Sequence, residues 1–559
     1  MRILLLTHAF NNLTQRLYVE LAEAGHDLSV EFDINDAITR EAVDLYRPDL
    51  VLAPYLRRPI PEDVWRRQVC LVMHPGIVGD RGPSALDRAI LRNETHWGVT
   101  VLQAEAELDA GPVWATADFP MRQTTKSSLY RNEVTEAAVR AVLEAVERLP
   151  DYHAGRWRPT RVAPQPLLPL VRGAERAIDW SRDDTATALR KIASADGSPG
   201  VEDSLLGHAC RLFDAHPYDA SGSPGAILGR SGQGIVRATA DGAIMIGHLR
   251  GSDPLLPFKL PAALALPEAA ELPELPDGTN AIRYEEAEGV GYLNFDFHNG
   301  AMGTAACEAL LAAYERARAR PTRVIVLLGG PDFYSNGLDL NLIEASDSPA
   351  DESWRNINAM DDLCRAIIET DGQLTVSALQ GNAGAGGAFL SLASDLVWVR
   401  EGVVLNPHYR NMGNLYGSEY WTYLLPRRLG DEGARQLMQR RLPLGSRAAL
   451  RMGLIDACLA PNHAGFLHEV RQRATALAHA PDYAIRLQLK RVRRAADEAA
   501  KPLAAYRAEE LAHMHRNFYG FDVSYHVARQ RFVHKTPHGW TPRHLALHRE
   551  IGWLVPASG

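Results

Sequence analysis

The sequence predicts an α/β protein built of several domains, and three observations carry that prediction. At 559 residues the chain is too long for one hydrophobic core, and roughly two to four domains are expected. Its first part alternates short apolar runs with amphipathic stretches, the pattern of a parallel sheet covered by helices. Residues 254–278, "PLLPFKLPAALALPEAAELPELPDG", hold six prolines and read as an inter-domain linker.

The elements follow in order. "RILLLT" reads as a first buried strand rather than a leader peptide, because His8 soon interrupts the apolar run and no small-residue cleavage site follows. "TQRLYVELAEAGHDLSVEF" is a helix and then a strand, and "DLVLAPYL" and "VCLVMHPG" are further buried strands. "TEAAVRAVLEAVERLP" is a long helix that closes the region near Pro150, and residues 151–180 are loop-like. "TATALRKIASADGSPGVEDSLLG" gives a helix and a turn. "GAILGRSGQGIVRATADGAIMIGHLRG" gives short strands with turn signals, so this module is small and β-rich. Beyond the linker, "AIRYEEAEGVGYLNFD" reads as a hairpin, "AMGTAACEALLAAYERARAR" as a helix, and "TRVIVLLGG", "LTVSAL" and "DLVWVR" as strands. From about residue 430 the pattern is helical, and basic stretches such as "LKRVRR" read as solvated helix faces. The expected domains are 1–160, 161–253, a linker at 254–278, and 279–559.

Bulk properties narrow the function. A net charge of −8 gives no electrostatic footprint for nucleic acid. Five scattered cysteines without a CxxC pair argue against a disulfide scaffold and against a metal site, and make a reducing, cytoplasmic setting the expectation. No apolar run approaches the ~18 residues of a membrane span.

"MHPGIVGDRGPSALDRAI" places His74 at the end of a strand, where α/β ligand sites form. Arg81-Gly82 follows in a tight loop, and "ELDAGPVW" sets Asp109 in a turn 35 residues after the histidine. Together these resemble the folate-dependent formyltransferases, with their HPSLLP…RG and DxG motifs, over about residues 1–160. Residues 175–250 resemble the C-terminal β-barrel of methionyl-tRNA formyltransferase, carried by "AIDWSR", "LRKIASADGSPGV" and "GIVRATADGAIMI". The resemblance implies a Rossmann-like domain that takes the formyl group of 10-formyltetrahydrofolate, with a small OB-like barrel beside it. His74 would stabilise a tetrahedral oxyanion and Asp109 would orient it and shuttle protons. The family usually carries Asn two residues before the histidine, where this chain has Val72. The missing donor is expected from Asn11, Asn12, Gln15 or Arg81, with Asn11, Gln15, Arg81 and Gly82 as folate contacts.

The second half, about residues 280–460, resembles the crotonase family of acyl-CoA enzymes. "DFYSNGLDL" matches its F-x-x-G-x-D-[LI] loop, and "GNAGAGGAFLSLASD" its glycine-rich turn and helix. The resemblance implies a ββα spiral domain with a helical C-terminus. It implies an oxyanion hole from the backbone N–H groups of Leu338 and Gly386, and CoA contacts at Phe333, Asn336, Gly337, Gly387 and Phe389, with Lys535 as a C-terminal basic contact. Hydratases of this family place two glutamates over the thioester; here those positions fall at Phe389 and about Tyr409, so water addition is disfavoured. "NMGNLYGSEYWTYLLPRRLG" occupies the closing loop and offers Tyr416 and Glu419 as replacements.

A formyl-donor domain fused to an acyl-CoA domain suggests formyl-CoA as the shared species. The full architecture resembles the HypX-type (HoxX) [NiFe]-hydrogenase maturation proteins, on "HPGIVGDRGPSALDRAI" and "YGSEYWTYLLPRRLG". That resemblance implies formyl transfer from 10-formyltetrahydrofolate to coenzyme A, then release of carbon monoxide for the hydrogenase iron, with hydrogenase maturation proteins or the hydrogenase large subunit as partners. The alternatives are a formyl-CoA hydrolase or transferase that releases no CO, and a non-catalytic CoA-binding scaffold.

Overall fold

The structure is a computed structural model, and it describes residues 1–163, 165–278 and 281–551. The chain forms two compact units, Met1–Thr279 with Pro537–Gly559, and Asn280–Thr536.

The first unit begins with strands β1 (Arg2–Thr7), β2 (Asp27–Phe32), β3 (Leu50–Tyr55), β4 (Cys70–His74), β5 (His96–Gln103) and β6 (Val113–Pro120), in the order β2-β1-β3-β4-β5-β6. The first four run parallel, while β5 is antiparallel to both neighbours. β1 and β3 are buried along nearly their whole length because helices cover such a sheet on both faces. Helix Thr135–His153 lays Ala138, Val142, Ala145 and Leu149 against the core at i, i+4, i+7, i+11 and runs through Pro150 before it ends.

A second sheet holds β7 (Val201–Leu205), β8 (His208–Tyr218), β9 (Ile227–Ser231), β10 (Gly234–Ala238), β11 (Ala243–Gly251) and β12 (Leu260–Pro261), ordered β7-β8-β11-β10-β9 with β12 on β11. Among the described residues its end strands β7 and β9 do not pair, so the OB-like module is an open antiparallel sheet rather than a closed barrel.

Two expectations change here. The proline-rich stretch does not behave as a free linker. β12 lies within it, and Leu260, Ala262, Leu266 and Ala269 are buried in the core of this sheet. The prolines keep the segment extended, and the apolar residues between them pack. Residues 537–551 also group with the first unit rather than with 279–536. β2 is an edge strand, and its Val30 N–H donates to Leu545 O at 2.9 Å while Phe32 N–H donates to Thr541 Oγ1 at 2.9 Å. Glu31, fully buried, accepts from His548 Nε2 at 2.8 Å and from Arg549. The returning chain thereby satisfies an edge that would otherwise be open.

The second unit contributes β13 (Ile282–Ala287), β14 (Val290–Phe295), β15 (Ala301–Met302), β16 (Val324–Leu328), β17 (Phe333–Ser335), β18 (Gly337–Leu338), β19 (Leu374–Leu379) and β20 (Asn382–Gly384). β21 (Leu396–Arg400), β22 (Val404–Asn406), β23 (Leu444–Gly445) and β24 (Ala457–Leu459) complete it. The main sheet is β13-β14-β16-β19-β21-β24, with a second layer β17-β20-β22-β23 and a small pair β15-β18. Each turn of the chain lays one strand in the main sheet and a shorter one in the second layer, the ββα spiral of the crotonase resemblance. Asp395, which ends the glycine-rich motif, ties this together. It accepts from Thr375 N–H at 2.7 Å and from Lys490 Nζ at 2.6 Å. "LKRVRR" is therefore not wholly a solvated face, since its lysine is largely covered and paired with that carboxylate. Among the described residues no helix is long and apolar enough to cross a membrane, and the five cysteines are free.

Candidate active sites

His74 stands at the carboxyl end of β4 and is nearly buried. Its Nε2 lies 2.9 Å from Asp80 Oδ2, and its Nδ1 lies 3.8 Å from Asp109 Oδ2. The nearer carboxylate is thus Asp80, in the "GDRG" turn, which sequence reasoning passed over although it lies six residues from the histidine. Gly76 makes that pairing possible, because a Cβ there would stand 2.4 Å from His74 Nε2. Asp109 adopts φ 52 and accepts the Gly82 N–H at 3.0 Å, so the DxG turn and the Arg-Gly loop meet at one carboxylate.

The expected folate contacts are partly engaged by the protein. Asn11 caps the helix Asn12–Glu23 by accepting from Thr14 N–H at 3.0 Å, and Gln15 Nε2 donates to Phe10 O at 2.9 Å. Asn12 donates to Thr135 Oγ1 at 3.2 Å. Arg81 is buried and donates to Leu108 O, Gln165 O and Glu107 at 3.1, 2.7 and 3.2 Å. Its guanidinium braces the loop around His74 rather than reaching outward.

In the second unit the two glycine loops meet. A Cβ on Gly337 would lie 3.1 Å from the Gly386 nitrogen, so β18, which carries Leu338, packs backbone to backbone against the start of helix Gly386–Leu392. First-turn N–H groups of a helix have no intrahelical acceptor. Packing leaves no room for a side chain at either glycine of this turn. A side chain on Gly386 would meet Glu419 Oε1 at 2.1 Å, and one on Gly387 would meet Ser335 O at 2.1 Å. The room opened at 386 is filled by a carboxylate of the protein itself.

That carboxylate is the centre of the site. Glu419 is 1% exposed; its Oε2 accepts from the Tyr409 hydroxyl and from Ser418 N–H at 3.1 Å. Its Oε1 is buried and has no hydrogen-bond partner among the described residues, a costly state for a carboxylate oxygen. Burial, reinforced by Asp361, pushes its carboxyl up to about 8. Burial and the neighbouring Glu419 push the Tyr409 phenol well above its ordinary value, so it remains a proton donor. Three non-glycine residues around this group have positive φ: Ala385 at 46, Glu419 at 60 and Tyr420 at 58. Such strain persists only where surrounding structure enforces it.

Phe389 is fully buried and stacks on Tyr409, with ring centroids 5.1 Å apart and planes at 17°. The two positions where hydratases carry glutamates therefore form one aromatic wall, and the tyrosine of that wall touches Glu419. Tyr416 is placed otherwise: its ring stacks on His513 at 4.0 Å, and among the described residues the hydrogen bonds to the Glu419 carboxylate come from Tyr409 and Ser418. Phe333 is half-buried, Asn336 Nδ2 donates to Asn299 O at 2.8 Å, and Lys535 is exposed with its ammonium over the Phe532 ring.

Comparison with known proteins follows the same division. Residues 26–146 match the formyl transferase family model, residues 171–254 its C-terminal domain, and residues 285–543 the enoyl-CoA hydratase/isomerase family. The hydrogenase maturation factor HoxX of Bradyrhizobium diazoefficiens is 56% identical over 561 residues, covering 98% of this chain and 97% of that one. The chain belongs to the HoxX/HypX family of hydrogenase maturation factors. The crystal structure of HypX from Aquifex aeolicus in complex with tetrahydrofolic acid superposes with a TM-score of 0.95 at 46% identity, covering 98% of this chain and 99% of that one. Methionyl-tRNA formyltransferase of Dechloromonas aromatica is 29% identical over 187 residues, 32% of this chain and 58% of the relative. The HoxX/HypX architecture, a formyltransferase half followed by a crotonase-like half, is therefore the architecture of this chain.

Proposed function

We propose that the protein makes carbon monoxide in two steps. In the first, 10-formyltetrahydrofolate gives its formyl group to the thiol of coenzyme A. The sulfur bonds the formyl carbon, the N10–carbon bond breaks, and the thiol proton ends on N10. His74, held by Asp80, faces the developing oxyanion, and Asp109 moves the proton. In the second, formyl-CoA is split. Glu419 Oε1 takes the formyl proton, the carbon–sulfur pair leaves with sulfur, and the thiolate recovers a proton from the Glu419–Tyr409 pair, giving CO and CoA. Atoms and electrons balance without an oxidant or reductant. The N–H groups of Leu338 and Gly386 hold the formyl oxygen. The Phe389–Tyr409 wall excludes water, whose attack would give formate. Tyr409, rather than Tyr416, is the tyrosine of this reaction.

One observation carries the reading: a buried carboxylate oxygen without a partner among the described residues, set against Gly386, the glycine proposed to lend its N–H to an oxyanion hole. An isolated buried base beside an oxyanion hole suits removal of a proton from carbon. A hydratase needs carboxylates at 389 and 409, and both are aromatic here. The hydrogenase large subunit or its maturation proteins are the expected recipients of CO, in the cytoplasm. The test is turnover with 10-formyltetrahydrofolate and CoA in the presence of reduced haemoglobin. A carbonmonoxy spectrum that grows with turnover is expected. Formate with no carbonmonoxy spectrum makes the protein a formyl-CoA hydrolase, and no consumption of either substrate leaves only a scaffold.

A further inference from the structure

Glu419 is one of three buried carboxyl groups packed together. Asp361, on helix Pro349–Ile368, and Glu510, on helix Leu503–Tyr519, are both fully buried, as is Ser418 between them. The three grip one turn. Asp361 Oδ1 accepts the Glu419 N–H at 2.8 Å. Glu510 Oε2 accepts the Tyr420 N–H at 3.0 Å, and its Oε1 accepts the Thr422 N–H at 2.8 Å and the Thr422 hydroxyl at 2.5 Å. The backbone N–H groups held this way belong to the two left-handed residues Glu419 and Tyr420 and to Thr422, two residues on.

The donor count around Ser418 does not close if all three carboxyls are ionised. Ser418 Oγ lies 2.9 Å from Asp361 Oδ2 and 3.2 Å from Glu510 Oε2. A hydroxyl carries one hydrogen and satisfies one of them; the other contact needs a proton on the carboxyl. Both oxygens of Glu510 already accept backbone N–H groups, which suits a carboxylate. Among the described residues Asp361 Oδ2 has only Ser418 Oγ at hydrogen-bond distance, and Arg507 Nε stands off at 3.7 Å with its guanidinium on Asp362 and Asn358. We propose that Asp361 is a carboxylic acid in the folded protein, donating to Ser418, which donates to Glu510, and that this relay positions Glu419 with its free oxygen toward Gly386.

The groups facing Glu419 fit. They are Tyr409 from the preceding loop, Asp361 and Cys364 from one helix, Cys307 from helix Thr304–Arg318, and Glu510 from another, with Arg507 standing beyond Asp361. With all three carboxyls ionised and Arg507 the cation beside Asp361, two negative charges go unbalanced, and a proton on one carboxyl leaves a single one. Burial pushes Asp361 up to about 7 and Glu510 up to about 8, in the direction the count requires. The hydrogen-bond pattern, rather than that small difference, decides which of the two holds the proton. With Asp361 neutral, Glu419 faces one neighbouring negative charge instead of two and ionises at lower pH.

The positioning role rests on Glu419 as base; the proton on Asp361 does not. Infrared spectra of the full chain test the proton directly. A carbonyl band of a protonated carboxylic acid is expected to persist above the ordinary Asp range and to vanish in Asp361→Asn. Its survival in that variant would falsify the assignment. For positioning, Asp361→Ala removes the acceptor of the Glu419 N–H and lowers CO release about thirtyfold. Asp361→Asn, the isostere of the neutral acid, restores the rate to within about threefold of the parent. If the asparagine variant is as slow as the alanine one, the site needs a charge at 361 and the proposal is wrong. Glu510→Gln removes the remaining charge and moves the acid limb of CO release down by about one pH unit; an unmoved limb in a folded variant counts against the relay. Should the parent release no CO, the infrared band still decides the protonation.

Discussion

The His74 and Glu419 sites do opposite things with a carboxylate. At His74 each acidic oxygen near the imidazole has a partner: Asp80 takes one ring nitrogen, and Asp109 takes the Gly82 N–H. The Asp109 side chain remains 22% exposed, so protons can exchange with water. At Glu419 the carboxyl is sealed among aromatics, one oxygen is left alone, and the backbone is bent into the left-handed region to hold it. The first arrangement suits acyl transfer, where a charge must be stabilised and a proton passed on. The second suits an intermediate that water destroys. Sealing strengthens electrostatics and excludes a competitor together, because both follow from removing solvent.

Variants can break this contrast, beginning with the largest effect. Glu419→Gln removes the base and is expected to lower CO output by about 10²–10⁴, with formyl-CoA accumulating, read by chromatography of CoA species beside the haemoglobin assay. His74→Ala should lower formyl transfer by a similar 10²–10⁴ yet leave CO release from supplied formyl-CoA unchanged; equal loss of both steps would mean the sites are not separate in function. Tyr409→Phe deletes a hydrogen bond to a charged group, worth about 1.5–3 kcal/mol, so CO release falls about ten- to a hundredfold. Its acid limb moves to higher pH, because that bond favours the ionised form of Glu419. Phe389→Glu restores a water-holding carboxylate and should shift product from CO toward formate; Phe389→Leu, which keeps an apolar wall, should not. Unchanged product from a folded glutamate variant would make Phe389 packing alone.

The smallest effect is on stability. Asp361, Glu419 and Glu510 all have carboxyls raised by burial. A group raised in the folded state contributes stability that is complete below its unfolded value and is lost as pH rises through its folded value. Thermal stability should therefore decline between about pH 4 and about pH 8, and Glu510→Gln should flatten that decline. Denaturation followed by circular dichroism across that range checks the sign.

Much of this was legible in the residues. The β/α alternation, His74 at a strand end, the paired glycine loops and the loss of hydratase glutamates at 389 and 409 are all local patterns, and Glu419 was named from its place in the closing loop. Glu510 also left a mark, since it lies on the same buried helix stripe as Leu503, Met514 and Phe518. A charge on an apolar face asks for a buried partner. Asp80 was within reach, six residues from the histidine it meets. In the sequence Tyr409 marks only the absence of a carboxylate, and Tyr416 is offered with Glu419 because both lie in the closing loop. In the fold, Tyr416 turns to His513 on a distant helix.

The sequence alone determined the element types, the two halves and the chemistry each half offers, because propensity, periodicity and motif spacing are properties of neighbouring residues. Tertiary structure decided which polar atoms are left without partners. Asp361, Ser418 and Glu510 come together from separated segments, and Gly386 is glycine because Glu419 arrives from 33 residues later. It also decided that the segment holding Thr541 and Leu545 returns to the edge strand Asp27–Phe32. Burial and hydrogen-bond satisfaction are sums over all packed neighbours, and those sums exist only once distant segments have met.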